Sequence, residues 1–144
     1  MMNNTNRLLA NSLTYSGTLP LIAAAACVCF AVRYFDSALI AITYSAIIIS
    51  FLCGIHWAVY LFFAEKCPRN LLMTSNGVAL VAWSSLLATH QSIAIALQAV
   101  CFLYLLMLDL KLRDVGILPQ WFYGLRRNAT MIVVLCLAVI AGLS

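Results

Sequence analysis

The sequence predicts an all-α fold: a polytopic membrane bundle of five transmembrane helices, with a cytoplasmic N-terminus and a periplasmic C-terminus. Three observations predict it. First, 65% of the 144 residues are hydrophobic and only 8% are charged, whereas soluble domains run at about 45–50% apolar and about 25% charged. So few charges cannot cover a soluble surface. Second, the apolar residues fall into five runs near the roughly 20 residues that a helix needs to cross the hydrocarbon core. They are 13–32, 37–64, 71–89, 92–110 and 128–143. Third, the basic residues are segregated. With five crossings, Arg7, Lys66, Arg69, Lys111, Arg113, Arg126 and Arg127 share one side, and only Arg33 lies on the other. Basic loops stay in the cytoplasm, so this asymmetry sets the orientation. Alternation of the kind a β-barrel requires is absent. The length suits a single domain, 1–144.

The first dozen residues are polar and suit an interfacial segment. In the first run, Gly17 and Pro20 predict a kink near its cytoplasmic start. Pro20 also interrupts the run as a signal-peptide core, so it is read as a retained span. The second run exceeds what one crossing needs and should tilt or project. Pro68 sets the turn after it. The third run opens with a polar LLMTSNG, and THQS turns it tightly into the fourth. The segment 111–127 contains LPQWFYGLRR, whose aromatic and basic residues predict a stretch lying on the inner surface.

The second run is expected to be the central post. Ala46, Ser50, Gly54 and Ala58 recur every fourth residue, so on a helix they line one face. A ridge of small residues lets another helix approach closely, which is how helices pack in lipid. His56 lies about 200° round the helix from Gly54 and projects from nearly the opposite side.

Polar side chains concentrate in the cytoplasmic half. The candidate polar site comprises His56, Trp57, Tyr60, Asn76, Tyr104, Asp109 and Arg126. A polar group in hydrocarbon costs free energy unless it is partnered, so such a cluster implies mutual hydrogen bonding or water. For Asp109 the expected partner is one of Lys111, Arg113, Arg126 or Arg127, at the membrane surface. The outer half is blander, with Ser84 and Ser85 its main polar pair. The six cysteines form no C-x-x-C and read as small apolar fillers. A haem held between His56 and His90 is excluded, because the two should lie ~20 Å apart along the membrane normal. No cofactor or metal is expected, and no nucleophile–base–orienter set can be assembled.

With those residues laid out, the chain resembles a domain-of-unknown-function family of small five-span proteins that includes mitochondrial transmembrane protein 69 and proteobacterial members. The resemblance covers most of the chain. It is carried by L-x-Y-x-G-x-x-P at Leu13, Tyr15, Gly17 and Pro20. It continues through Tyr44, Ala46, Ile48, Ser50, Phe51, Leu52, Gly54, Ile55 and Trp57. It ends with Asp109 and W-[FY]-x-x-L-R-x-x-x-T at Trp121, Phe122, Leu125, Arg126 and Thr130. Cys53 and Ala58 stand where the family has glycines. The resemblance implies a bacterial or mitochondrial inner-membrane protein and brings no catalytic assignment.

The expected function is a non-catalytic accessory subunit or assembly factor of a larger, respiratory-type membrane complex, with lipids and other integral membrane subunits as partners and no nucleic acid. The alternatives are a small transporter or channel, or a quinone- or lipid-binding protein built around His56.

Overall fold

The computed structural model describes residues 3–32 and 34–143. Six α-helices make up most of them: α1 (Asn4–Ser16), α2 (Leu19–Cys29), α3 (Ser37–Phe63), α4 (Leu71–Ser85), α5 (Gln91–Asp114) and α6 (Gln120–Leu143). Among the described residues there is no strand. Arg33, the one basic residue assigned to the outer side, lies outside them.

Among the described residues four helical stretches, not five, are long and apolar enough to cross a membrane: Asn4–Cys29, Ser37–Lys66, Gln91–Asp114 and Gln120–Leu143. The expected third crossing is the one that falls short. α4 has 15 residues, about 22 Å at ~1.5 Å per residue, against a hydrocarbon core of about 30 Å. It stops early because its last turns tighten. Leu86, Leu87 and Ala88 donate to carbonyls three residues back, on Trp83, Ser84 and Ser85, the bonding of a 3-10 turn rather than an α-helix.

The first crossing is bent, as Gly17 and Pro20 predict. Gly17 closes α1, and Pro20 sits in the first turn of α2. Proline has no N–H to give to the carbonyl four residues back, so a straight helix cannot run through. The Gly17 carbonyl, released at the bend, accepts a 2.8 Å hydrogen bond from the Tyr44 hydroxyl on α3.

The aromatic and basic segment expected on the membrane surface is mostly helix. α5 ends at Asp114, and Gly116 follows with φ +77°. Gly116 N–H bonds Arg113 O and Ile117 N–H bonds Leu112 O, a Schellman-type stop that needs the left-handed residue at its centre. Pro119 then starts α6, its carbonyl accepting from Phe122 and Tyr123. The last helix therefore begins at Gln120 rather than 128. Asp36 caps α3 through Leu39 N–H, and its other carboxylate oxygen accepts from Gln91, which ties the α2–α3 and α4–α5 turns together.

α3 does stand centrally, in contact with α2, α4, α5 and α6. It packs, however, on the face opposite the expected one. Of the small-residue ridge only Ala46 is buried; Ser50, Gly54 and Ala58 are exposed. A Cβ added at Gly54 would meet nothing within 4 Å. The packed side is the stripe Ala38, Ala41, Ile42, Ser45, Ile49, Leu52 and His56. The physical reason is polarity. Lipid solvates small and large apolar residues alike, whereas Ser45 and His56 need to be kept away from it, and they turn the helix.

Candidate functional site

The α5–α6 hairpin places the site. Asp109 lies eight residues before Ile117 and Arg126 nine after it, so two antiparallel helices joined by the Gly116 turn bring them level. Arg126 Nε donates to Asp109 Oδ2 at 3.0 Å. From α3, His56 Nε2 meets the other oxygen, Asp109 Oδ1, at 2.8 Å. One carboxylate thus bridges three helices. His56 is 2% exposed, Asp109 3% and Arg126 9%.

Burying a carboxylate is costly unless its lone pairs are matched, and here each oxygen has a charged or N–H partner. His56 Nε2–H donates to Asp109 in this pairing, and Nδ1 has no partner. Asp109 and Arg126 form an ion pair.

Two donors beside this triad remain unused. Arg126 Nη2 and the Thr130 hydroxyl are buried and have no hydrogen-bond partner. Thr43, Ser50, Thr74 and Ser75 all turn their hydroxyls back onto a carbonyl of their own helix; Thr130, 1% exposed, does not. Both Arg126 and Thr130 wall a cleft of about 380 Å³ between the bent α1–α2 pair and the faces of α3 and α6. The rest of its wall is almost all apolar, with Leu21, Ile48, Leu52, Phe102 and Val133 prominent. α1 forms one side of it and is held to α6 by the Arg7 guanidinium, 4.8 Å from the centre of the Trp121 ring.

The seven residues of the expected polar site therefore divide. His56, Asp109 and Arg126 come together. Trp57 instead donates to Asn76 Oδ1 at 3.2 Å on the exposed α3–α4 face. Tyr60 and Tyr104 are half-buried against the apolar core. Asp109 finds Arg126, one of its four expected partners, but deep in the bundle rather than at the surface. A second polar node, toward the other end of the bundle, was not expected: Gln98 Nε2 donates to Ile42 O at 2.8 Å and to Ser85 Oγ at 2.9 Å. Its signal was present in the sequence, since Gln98 is a lone amide in an apolar run. Thr130 enters the sequence reading only through the W-[FY]-x-x-L-R-x-x-x-T motif.

No group of three or more His, Cys, Asp or Glu gathers to hold a metal among the described residues. All six cysteines are unpaired. Burial pushes the thiol of Cys67, in the loop before α4, upward, opposite to the shift that activates a nucleophile. His90 is exposed at the start of α5, remote in the chain from the buried His56.

The family described as Protein of unknown function (DUF3429) matches residues 7–142. The chain belongs to that family. The matched region contains every residue of the triad, the cleft and the bend. No curated protein and no solved structure matches the chain.

Proposed function

We propose that this member of the DUF3429 family is a non-catalytic, multi-pass membrane protein that binds an amphipathic small molecule drawn from the bilayer. The observation that carries this reading is the cleft: almost wholly apolar walls from α1, α2, α3 and α6, with the ion-paired Arg126 and Thr130 among its lining. Ligand sites are concave, mostly apolar and supplied with a few placed polar groups, in volumes of roughly 300–1,000 Å³. The test is extraction. The full chain, purified in a mild detergent, is expected to carry one amphiphile in stoichiometric amount, found by mass spectrometry of the solvent extract. Ala129→Phe, which fills the cleft, should lose it. Wild-type protein carrying no amphiphile above the level of the Ala129→Phe protein would overturn the proposal.

A second reading is an accessory subunit or assembly factor of a larger membrane complex. It is favoured by the open face of α3, where Ser50, Gly54 and Ala58 offer a close-approach surface that no helix of this chain uses. The short α4 supports it too, because a mismatch with bilayer thickness is relieved by thinning or by oligomerising. Purification from the native membrane should then recover a stoichiometric partner that Gly54→Leu removes. The membrane proposed is a bacterial or mitochondrial inner membrane, with the basic end of the bundle inward.

A further inference from the structure

Given the binding function proposed above, the cleft and the cation at its end together select a class of amphiphile. We infer that the cleft takes one acyl chain of an anionic glycerophospholipid, whose phosphate is held at Arg7. The walls set the chain. Leu13 and Phe51 line the cleft and are themselves exposed, so it is a groove open along the apolar surface of the bundle. In a membrane-spanning chain that surface meets lipid tails.

Size points to one chain. On α6 the groove runs over residues 122–133, about 16 Å at ~1.5 Å per residue. One leaflet is half of a hydrocarbon core of about 30 Å, so the groove has the depth of a single acyl chain. Its volume of about 380 Å³ falls at the small end of the roughly 300–1,000 Å³ of ligand sites, which admits one chain rather than a pair.

Charge points to the headgroup. Ala10 and Phe122 are the first lining residues of α1 and α6. Arg7 lies one turn before Ala10, and Trp121 immediately before Phe122, so the Arg7 guanidinium stacked 4.8 Å from the Trp121 ring centre stands at that end of the groove. Arg7 is exposed, and among the described residues no ion pair joins it to a carboxylate: Asp109 is paired with Arg126 and Asp114 with Arg113. Stacking on an indole uses the face of the guanidinium and leaves its N–H edge free, the edge that matches two phosphate oxygens. Arg126 is not the contact, because its unpartnered Nη2 is buried. A zwitterionic headgroup carries its own cation beside the phosphate, whereas an anionic one leaves that charge for the protein to match. Arg127 is exposed at the start of α6 and also lacks an ion pair among the described residues; it attracts anionic lipid generally, through a field that salt screens, whereas Arg7 is fixed at the groove.

The test uses the purified full chain in uncharged detergent micelles with two photoprobes, phosphatidylglycerol and phosphatidylcholine, that carry the same diazirine-bearing acyl chain. Labelled positions are mapped by peptide mass spectrometry. The expected result is labelling within 10–21, 48–55 and 122–133, stronger for phosphatidylglycerol by about fivefold, the preference that one basic residue gives toward an anionic lipid. Arg7→Gln should bring the two probes level, and Arg127→Gln should leave the preference in place. Arg7 is exposed on a helix with no buried residue, so its variant should fold, and its melting curve checks that. Equal labelling of the cleft by both probes in the wild type would overturn the anionic headgroup while leaving amphiphile binding intact. The same loss in Arg127→Gln as in Arg7→Gln would reduce the preference to general surface attraction and overturn the site at Arg7. A fall of both probes alike in Arg7→Gln would mean that Arg7 holds α1 in place rather than a phosphate, and would also overturn it. Labelling spread over the whole lipid-facing surface would sink the binding reading itself.

Discussion

At the scale of single residues, the outcome is decided by which polar atoms have partners. Asp109 is the residue on which the others depend, because it alone satisfies both His56 and Arg126. Asp109→Leu leaves a buried guanidinium without its counter-charge, and removal of one partner of a buried pair costs about 3–5 kcal/mol. His56→Leu leaves Asp109 still paired with Arg126 and should cost less, about 1–3 kcal/mol. The double variant Asp109→Leu with Arg126→Leu should melt above Asp109→Leu alone, since no charge is stranded. Melting curves in detergent rank the three; additive losses in the double variant would mean that the pair is not coupled. Tyr44→Phe is expected to cost about 1 kcal/mol by leaving the Gly17 carbonyl without its donor.

At the scale of helices, the stops matter more than the runs. Gly116 holds φ +77° at the end of α5, and a Cβ there meets no neighbour, so the cost of Gly116→Ala is purely conformational, about 1–2 kcal/mol. A larger effect belongs to α6, which this turn aims back at Asp109, and the Gly116→Ala protein should show a weakened triad before the bundle melts. Gly54 is the converse. The ridge on α3 reads as a packing seam, yet it faces outward, and Gly54→Leu is expected to leave the melting temperature of the isolated chain within about 2 °C, in line with the small effect of surface substitutions. A large loss would mean that something covers this face even in the purified protein.

At the scale of the whole molecule, the bundle is turned inside-out relative to a soluble one. Its exposed surface includes Phe51, Phe62, Leu61, Met73, Trp83 and Leu87, while Ser45, His56, Ser75, Gln98, Asp109 and Thr130 are inside. The short α4 still runs antiparallel to α3, since Asn76 is level with Trp57 and Ser85 with Ile42. With α4 returning the chain alongside α3, we expect the two termini to emerge on opposite faces. Reporter fusions at each end check this: an alkaline phosphatase fused after residue 144 should be active and one fused before residue 1 inactive. Activity at both ends or at neither would mean that α4 does not count as a crossing.

Class and composition were legible in the sequence because the bilayer imposes them through length and charge alone. Apolar runs of about 20 residues and a proline without an N–H are local facts, and they foretold the membrane class and the bend at Gly17. Asp109 with Arg126 was within reach as one of four pairings. Which pairing forms, which face of α3 turns inward, where α4 stops and whether Thr130 faces a cleft were settled only by the fold. In hydrocarbon every apolar face is equally content, so the hydrophobic pattern cannot orient a helix. Helix rotation is chosen by where a few buried polar atoms can meet across 53 residues of chain, from His56 to Asp109, and a helix taken by itself carries no record of that meeting.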